Sequence, residues 1–241
     1  MSMSMSMEDR EIMIELKGIN KHYLLKQALT GIDLQIRKGS IVGLLGPNGS
    51  GKSTLLKMMA GLIYPTSGSI RVNGREPDVR NKQHIAYLPE IDNLYGWMTV
   101  KETLRFLSGF YSDWQADKAA EMLQTMELGE NQKVRNLSKG MRARLKLIAA
   151  LSRKVPLVLL DEPFSGIDPP SRSKIIRSII QEFQSDEQTI LLSTHSVGES
   201  EPMFDDVIFL HSGRIKLFDS AENLRENFGC SLENIWEKVY A

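Results

Sequence analysis

The 241-residue sequence predicts an α/β fold with a mostly parallel sheet, and three observations carry that prediction. Short strand-like apolar runs alternate with helix-period segments toward both ends of the chain, as when strands are joined by helical crossovers. Residues 157–160, Leu-Val-Leu-Leu, form the continuous apolar run of a strand covered on both faces. Between the alternating stretches, over roughly residues 89–155, apolar residues keep a helical period, which reads as an all-helical insert.

Each element follows in order. Residues 1–10 begin with alternating Met and Ser, turn acidic, and are set aside as a disordered tail. Residues 12–16, 29–36 and 41–45 read as strands and 51–61 as a helix. Residues 69–72 and 85–88 are strands again, separated by turn residues such as Asn73-Gly74. Helices are expected over 100–110, 116–128 and 138–153, where apolar residues recur at three- and four-residue steps. The strand at 157–160 precedes a helix over 170–183, strands over 189–193, 207–210 and 214–218, and a closing helix over 220–228. With no repeat or linker, residues 11–241 read as one domain. Its α/β core takes in 11–88 and 156–241, and its helical subdomain 89–155.

Composition excludes several classes of function. Thirty Lys and Arg balance thirty Asp and Glu, so the basic footprint of a nucleic-acid-binding domain is missing and no nucleic-acid partner is expected. One cysteine, Cys230, makes no internal disulfide or Cys-based metal site, which fits a reducing compartment. No apolar run reaches the roughly 18 residues of a membrane span. The start of the chain lacks the basic and apolar regions of a secretory signal, so the chain is expected to stay inside the cell.

The strongest motif is Gly46-Pro47-Asn48-Gly49-Ser50-Gly51-Lys52-Ser53, between the apolar strand at 41–45 and the helix carrying Thr54, Leu55 and Leu56. This is the G-x-x-x-x-G-K-[ST] cradle. Its glycines let backbone N–H groups curl around phosphate oxygens at a helix N-terminus, Lys52 reaches the β- and γ-phosphates, and the Ser53 hydroxyl ligates Mg²⁺. The run 157–160 ends in Asp161-Glu162, which supplies a carboxylate for Mg²⁺ (Asp161) and a general base for attacking water (Glu162).

Three further stretches choose among nucleotide-hydrolysing folds. Leu137-Ser138-Lys139-Gly140-Met141 opens a helix about twenty residues before the acidic pair; Phe164-Ser165-Gly166-Ile167-Asp168 follows the pair; Ser193-Thr194-His195 ends the next strand. With these motifs the chain resembles the ATP-binding subunits of ABC transporters over about residues 12–220, and most resembles ATPases of bacterial exporters of the ABC-2 type. The resemblance implies a P-loop NTPase core, an antiparallel β subdomain and an inserted α-helical subdomain. It makes the chain an ATPase with ATP and Mg²⁺ as cofactors.

In the resembling family Tyr23 is the aromatic residue on which adenine stacks, with His22 a weaker neighbour, and His195 contacts the γ-phosphate. Ser138 and Gly140 meet the ATP of a second subunit, so the working unit is a homodimer or heterodimer, with Asp168 and Ser165 near its seam. Lys139 and Met141 depart from the family's usual Gly and Gln. Glu90 stands where the family usually has Gln, a residue that touches Mg²⁺ or its water and links the nucleotide site to the insert. Tyr95, Gly96, Trp97 and Met98 either receive a helix of a membrane subunit or pack between core and insert. The resemblance places the chain peripherally on the cytoplasmic face of the cell membrane, powering integral membrane permease subunits. The rival readings are a soluble ATPase of a cytosolic assembly complex and an ATP sensor without turnover.

Overall fold

Strand β3 (Ile41–Leu45) lies inside a six-stranded sheet and delivers the chain to the phosphate loop. In this computed structural model, which describes residues 11–24, 26–183 and 188–240, the sheet adds β5 (Ile85–Leu88), β6 (Leu157–Asp161), β7 (Thr189–Thr194), β8 (Asp206–His211) and β9 (Arg214–Ser220). Its order is β5-β6-β7-β3-β8-β9, parallel except for the β8–β9 hairpin. Successive side chains of a strand point to opposite faces. Val42 and Leu44 of β3 accordingly join Leu157 and Leu159 of β6 in one apolar cluster. Ile41 and Leu45 join Val158 and Leu160 in another. Burial on both faces is why these strands are apolar without alternation.

A second, three-stranded antiparallel sheet, ordered β2-β1-β4, is built from β1 (Ile12–Tyr23), β2 (Lys26–Arg37) and β4 (Ser67–Val72). Its apolar face meets α1 (Lys52–Met59) in the first cluster, so α1 is sandwiched between sheets. Strands β1 and β2 outrun the expected 12–16 and 29–36, because a polar stretch such as 17–23 hides half of its alternation. Irregular register in β1 after Leu16 blurs the rest.

The helical stretch holds α2 (Val100–Ser108), α3 (Ala116–Thr125) and α4 (Lys139–Leu151). Thr99 and Glu102 form a capping box that starts α2, and the Ser138 hydroxyl caps α4 by accepting the Met141 N–H. Buried Arg153 fastens this stretch to the core. It pairs with Asp113 at 2.8 Å, donates to the Ile85 and Gln83 carbonyls, and stacks on Tyr111. Helix α5 (Pro169–Glu182) starts at the Asp168 cap, with proline in its first turn.

Helix α6 (Ala221–Phe228) stops at Gly229, whose φ of 63° suits a residue without a Cβ. The expected closing helix is not the last one. Helix α7 (Leu232–Tyr240) follows, burying Leu232 and Ile235 against the core. Their three-residue spacing was a legible signal beyond the glycine stop. The expected N-terminal tail lies outside the described residues.

Candidate ATP site

The phosphate loop is forced by crowding as much as by its glycines. A Cβ on Gly46 would stand 2.4 Å from the Leu210 carbonyl oxygen, and one on Gly51 2.9 Å from the Ala28 carbonyl. Gly49 and Gly51 have φ of 81° and 111°, open to glycine and costly for other residues. Gly51 is also the N-cap of α1 and offers no side-chain cap, and the first turn of α1 carries no acid. The helix therefore presents free N–H groups and a partial positive charge to the loop's concavity, an arrangement suited to an anion.

Side chains converge on that concavity from the start of α1 and from the ends of β6 and β7. Lys52, buried to 5% exposure, donates to the Gly46 carbonyl at 2.6 Å and reaches Pro47. Its ammonium also lies 3.2 Å from Glu162 Oε1, an ion pair without hydrogen-bond alignment. The other Glu162 oxygen meets His195 Nδ1 at 2.8 Å, and the imidazole is half exposed. The Ser53 hydroxyl donates to Asp161 Oδ1 at 3.0 Å. Sequence neighbours at 46–54 and 161–162 thus meet because β6 and β3 flank β7 in one sheet.

Two supporting residues escaped the sequence reading. The Ser193 hydroxyl donates to Asp161 Oδ1 at 2.8 Å and accepts the Glu162 N–H at 3.0 Å. The Tyr87 hydroxyl donates to Asp161 Oδ2 at 3.3 Å, and burial, aided by the Asp161 charge, pushes its pKa up. Their positions follow from the pairing of Asp161 with Ser193 and of β5 with β6, long-range facts that no local spacing announces. Glu162 has a φ of 46°, a left-handed conformation costing roughly 1–2 kcal/mol for a residue with a Cβ. The Ser193 bond to its N–H helps hold that geometry.

A cleft of about 420 Å³ is lined by Tyr23, Asn48, Gly49, Gly51, Lys52, Ser53, Thr54, Glu90 and Glu162, together with Lys26 and Ala28. Gly46, Pro47 and Ser50 do not line it. The Ser50 side chain turns inward, buried and without a hydrogen-bond partner, beside Gly46. Tyr23 is 43% exposed on one wall, with the Lys21 ammonium 5.1 Å from its ring centre. His22 is exposed and outside the cleft. Ser138 and Gly140 are also outside it; a Cβ on Gly140 would meet nothing within 4 Å.

The oxygen donors of Ser53 and Asp161 are hard ligands that suit Mg²⁺. Among the described residues no three His, Cys, Asp or Glu gather as a metal site. A divalent ion here would rely on few protein oxygens, as a Mg²⁺ that keeps phosphate and water ligands does.

The sequence pattern of the family described as ABC transporter matches residues 29–165. The chain belongs to this family. It is 33% identical over 221 residues to the lantibiotic transport ATP-binding protein SrtF of Streptococcus pyogenes, covering 90% of this chain and 96% of the relative. It is 33% identical over 225 residues to the linearmycin resistance ATP-binding protein LnrL of Bacillus subtilis, covering 90% and 72%. A solved ATP-binding subunit of an ABC transporter superposes with a TM-score of 0.84 at 29% identity, over 95% of this chain and all of the other. A dimeric ATP-binding cassette in a post-hydrolysis state with ADP and Pi superposes with a TM-score of 0.77 at 26% identity, over 86% and 98%. The protein is an ATP-binding cassette subunit and an ATPase, with the α/β core, antiparallel sheet and helical insert expected of one.

The aromatic stretch after Glu90 divides. Met98 is buried in the insert, whereas Tyr95 and Trp97 are 52% and 65% exposed. Tyr95 packs edge-on to Phe106, which packs on Phe110, beside a cleft lined also by Leu88, Leu94, Leu107 and Ala149. Among the described residues no helix is long and apolar enough to cross a membrane.

Proposed function

We propose that this ATPase acts as a head-to-tail pair on the cytoplasmic face of a membrane, driving export through separate integral membrane permease subunits. The observation that carries the reading is the single cluster in which Glu162 bridges Lys52 and His195 while Ser53 holds Asp161. Residues 11–88 and 156–241 then act as the catalytic core and 89–155 as the arm that meets partners. Relatives whose names specify lantibiotic transport and Nod factor export favour an exporter.

In this reading Tyr23 stacks on adenine, and the amides of residues 46–54 cradle the phosphates. Lys52 neutralises the β- and γ-phosphates. Glu162 takes the proton of the attacking water on its carboxylate, and His195 holds Glu162 through Nδ1 while facing the γ-phosphate. Ser53, Asp161 and Glu90 would hold Mg²⁺, which supplies positive charge against the phosphate oxygens as the terminal bond breaks. Ser138 and Gly140, at the open start of the 13-residue α4, meet the γ-phosphate bound by the partner copy. The paired copies are identical or closely similar chains. Hydrolysis removes the group that both protomers grip and so favours the open pair.

The cleft between β5, α2 and α4, with exposed Tyr95 and Trp97 at its side, is the surface that receives a permease helix. Affinity purification from detergent-solubilised membranes, followed by identification of the bound proteins, tests the reading. It expects an integral membrane subunit in stoichiometric amount. Recovery of soluble partners alone refutes it.

A further inference from the structure

Two side chains of α4 grip four successive residues of the loop after β5. The Lys146 ammonium donates to the carbonyls of Pro89, Glu90 and Ile91 at 2.5, 3.0 and 2.9 Å, using all three of its donors. Arg142, four residues earlier and so on the same helix face, pairs with Asp92 at 2.7 Å. Arg142 is itself tied to the loop leading into α4, through the carbonyls of Arg135 and Leu137. Against the upward push of burial, the Arg142 bond holds Asp92 below the ordinary carboxylate range.

The gripped loop is the one that matters to the nucleotide. Glu90 lines the ATP cleft with Lys52 and Ser53, and also lines the adjoining cleft with Lys139, Arg142 and Lys146. Lys146 stands eight residues after Ser138, about 12 Å along one rigid helix. Burial lowers the Lys146 pKa, opposed by the charges of Asp92, Asp161 and Glu90. Pulling the loop away would strand a partly desolvated ammonium without acceptors, so loop and helix separate only at a high cost.

We infer that Lys146 is a positioning residue that makes the Glu90 loop and the start of α4 move as one body. ATP in a protomer's own cleft thereby sets the Ser138 and Gly140 end that the protomer offers to its partner's ATP. The inference rests on the dimer proposed above and adds to it the element that couples the two sites, a coupling free energy expressed through one clamp.

The test compares Glu162→Gln, which slows turnover, with Glu162→Gln/Lys146→Met. ATP affinity is read by equilibrium dialysis at protein concentrations too dilute for pairing, and pairing with MgATP by sedimentation velocity. The double variant is expected to keep its ATP affinity within threefold and to need at least tenfold more protein for half-maximal pairing. Equal pairing in the two variants overturns the inference. So does a parallel loss of affinity and pairing, which would make Lys146 a mere support of the nucleotide cleft. If Lys146→Met fails to fold, Lys146→Gln carries the same comparison. If Glu162→Gln stays monomeric with MgATP, the dimer reading falls and this inference falls with it.

Discussion

Replacing Glu162 by Gln separates the two tasks proposed for its carboxylate. One is chemical: its two oxygens lie 3.2 Å from the Lys52 ammonium and 2.8 Å from His195 Nδ1, where a base for the attacking water is proposed. Removing a general base costs about 10²–10⁴ in rate. At about 1.36 kcal/mol per tenfold, that is roughly 3–5 kcal/mol on the barrier. The other task is electrostatic. A unit-charge pair at 3.2 Å interacts by about 5 kcal/mol at an effective dielectric of 20, before desolvation offsets much of it. The amide keeps the shape and removes the negative charge, so Lys52 is freed for phosphate and ATP repulsion falls. Turnover should drop at least a hundredfold while ATP binding stays equal or tightens. Phosphate release under saturating MgATP measures the first and a fluorescent ATP analogue the second. Wild-type turnover would refute the base; weakened binding would refute the account of Lys52.

Lys52→Ala should abolish binding at micromolar ATP. It should also leave a carboxylate of 7% side-chain exposure without its cation, a loss of about 3–5 kcal/mol seen as a lower urea midpoint. Tyr23→Ala should raise the KM for ATP by roughly 5–150-fold if a base stacks there, from about 1–3 kcal/mol per stacked base, with kcat little changed. Tyr240→Phe removes the hydroxyl that lies 3.1 Å from both the Leu45 and Leu210 carbonyls, just below Gly46. It should cost about 1 kcal/mol in denaturant unfolding, since one hydrogen bond is lost and the ring stays packed on Trp236.

Part of this site was readable because covalent adjacency sets it. Residues 46–54 are a strand end, a turn and a helix start in one continuous piece, so spacing alone specifies a cradle. The apolar runs of β3 and β6 were equally plain, because burial on both faces leaves no polar alternation to confuse them. The outer sheet was harder. Polar residues at 17–23 and a shifting register concealed the length of β1, and α7 lay past a glycine that looked like an ending.

The sequence by itself determined the phosphate loop, the acidic strand end and the helix cap at Ser138, all features of a few contiguous residues. Only the tertiary structure decided that Ser53 meets Asp161, that Ser193 steadies Glu162, and that Lys146 grips the Glu90 loop. Those contacts join residues 31 to 108 positions apart. They depend on which strands pair and in what register, a choice made by burying two faces of one sheet at once.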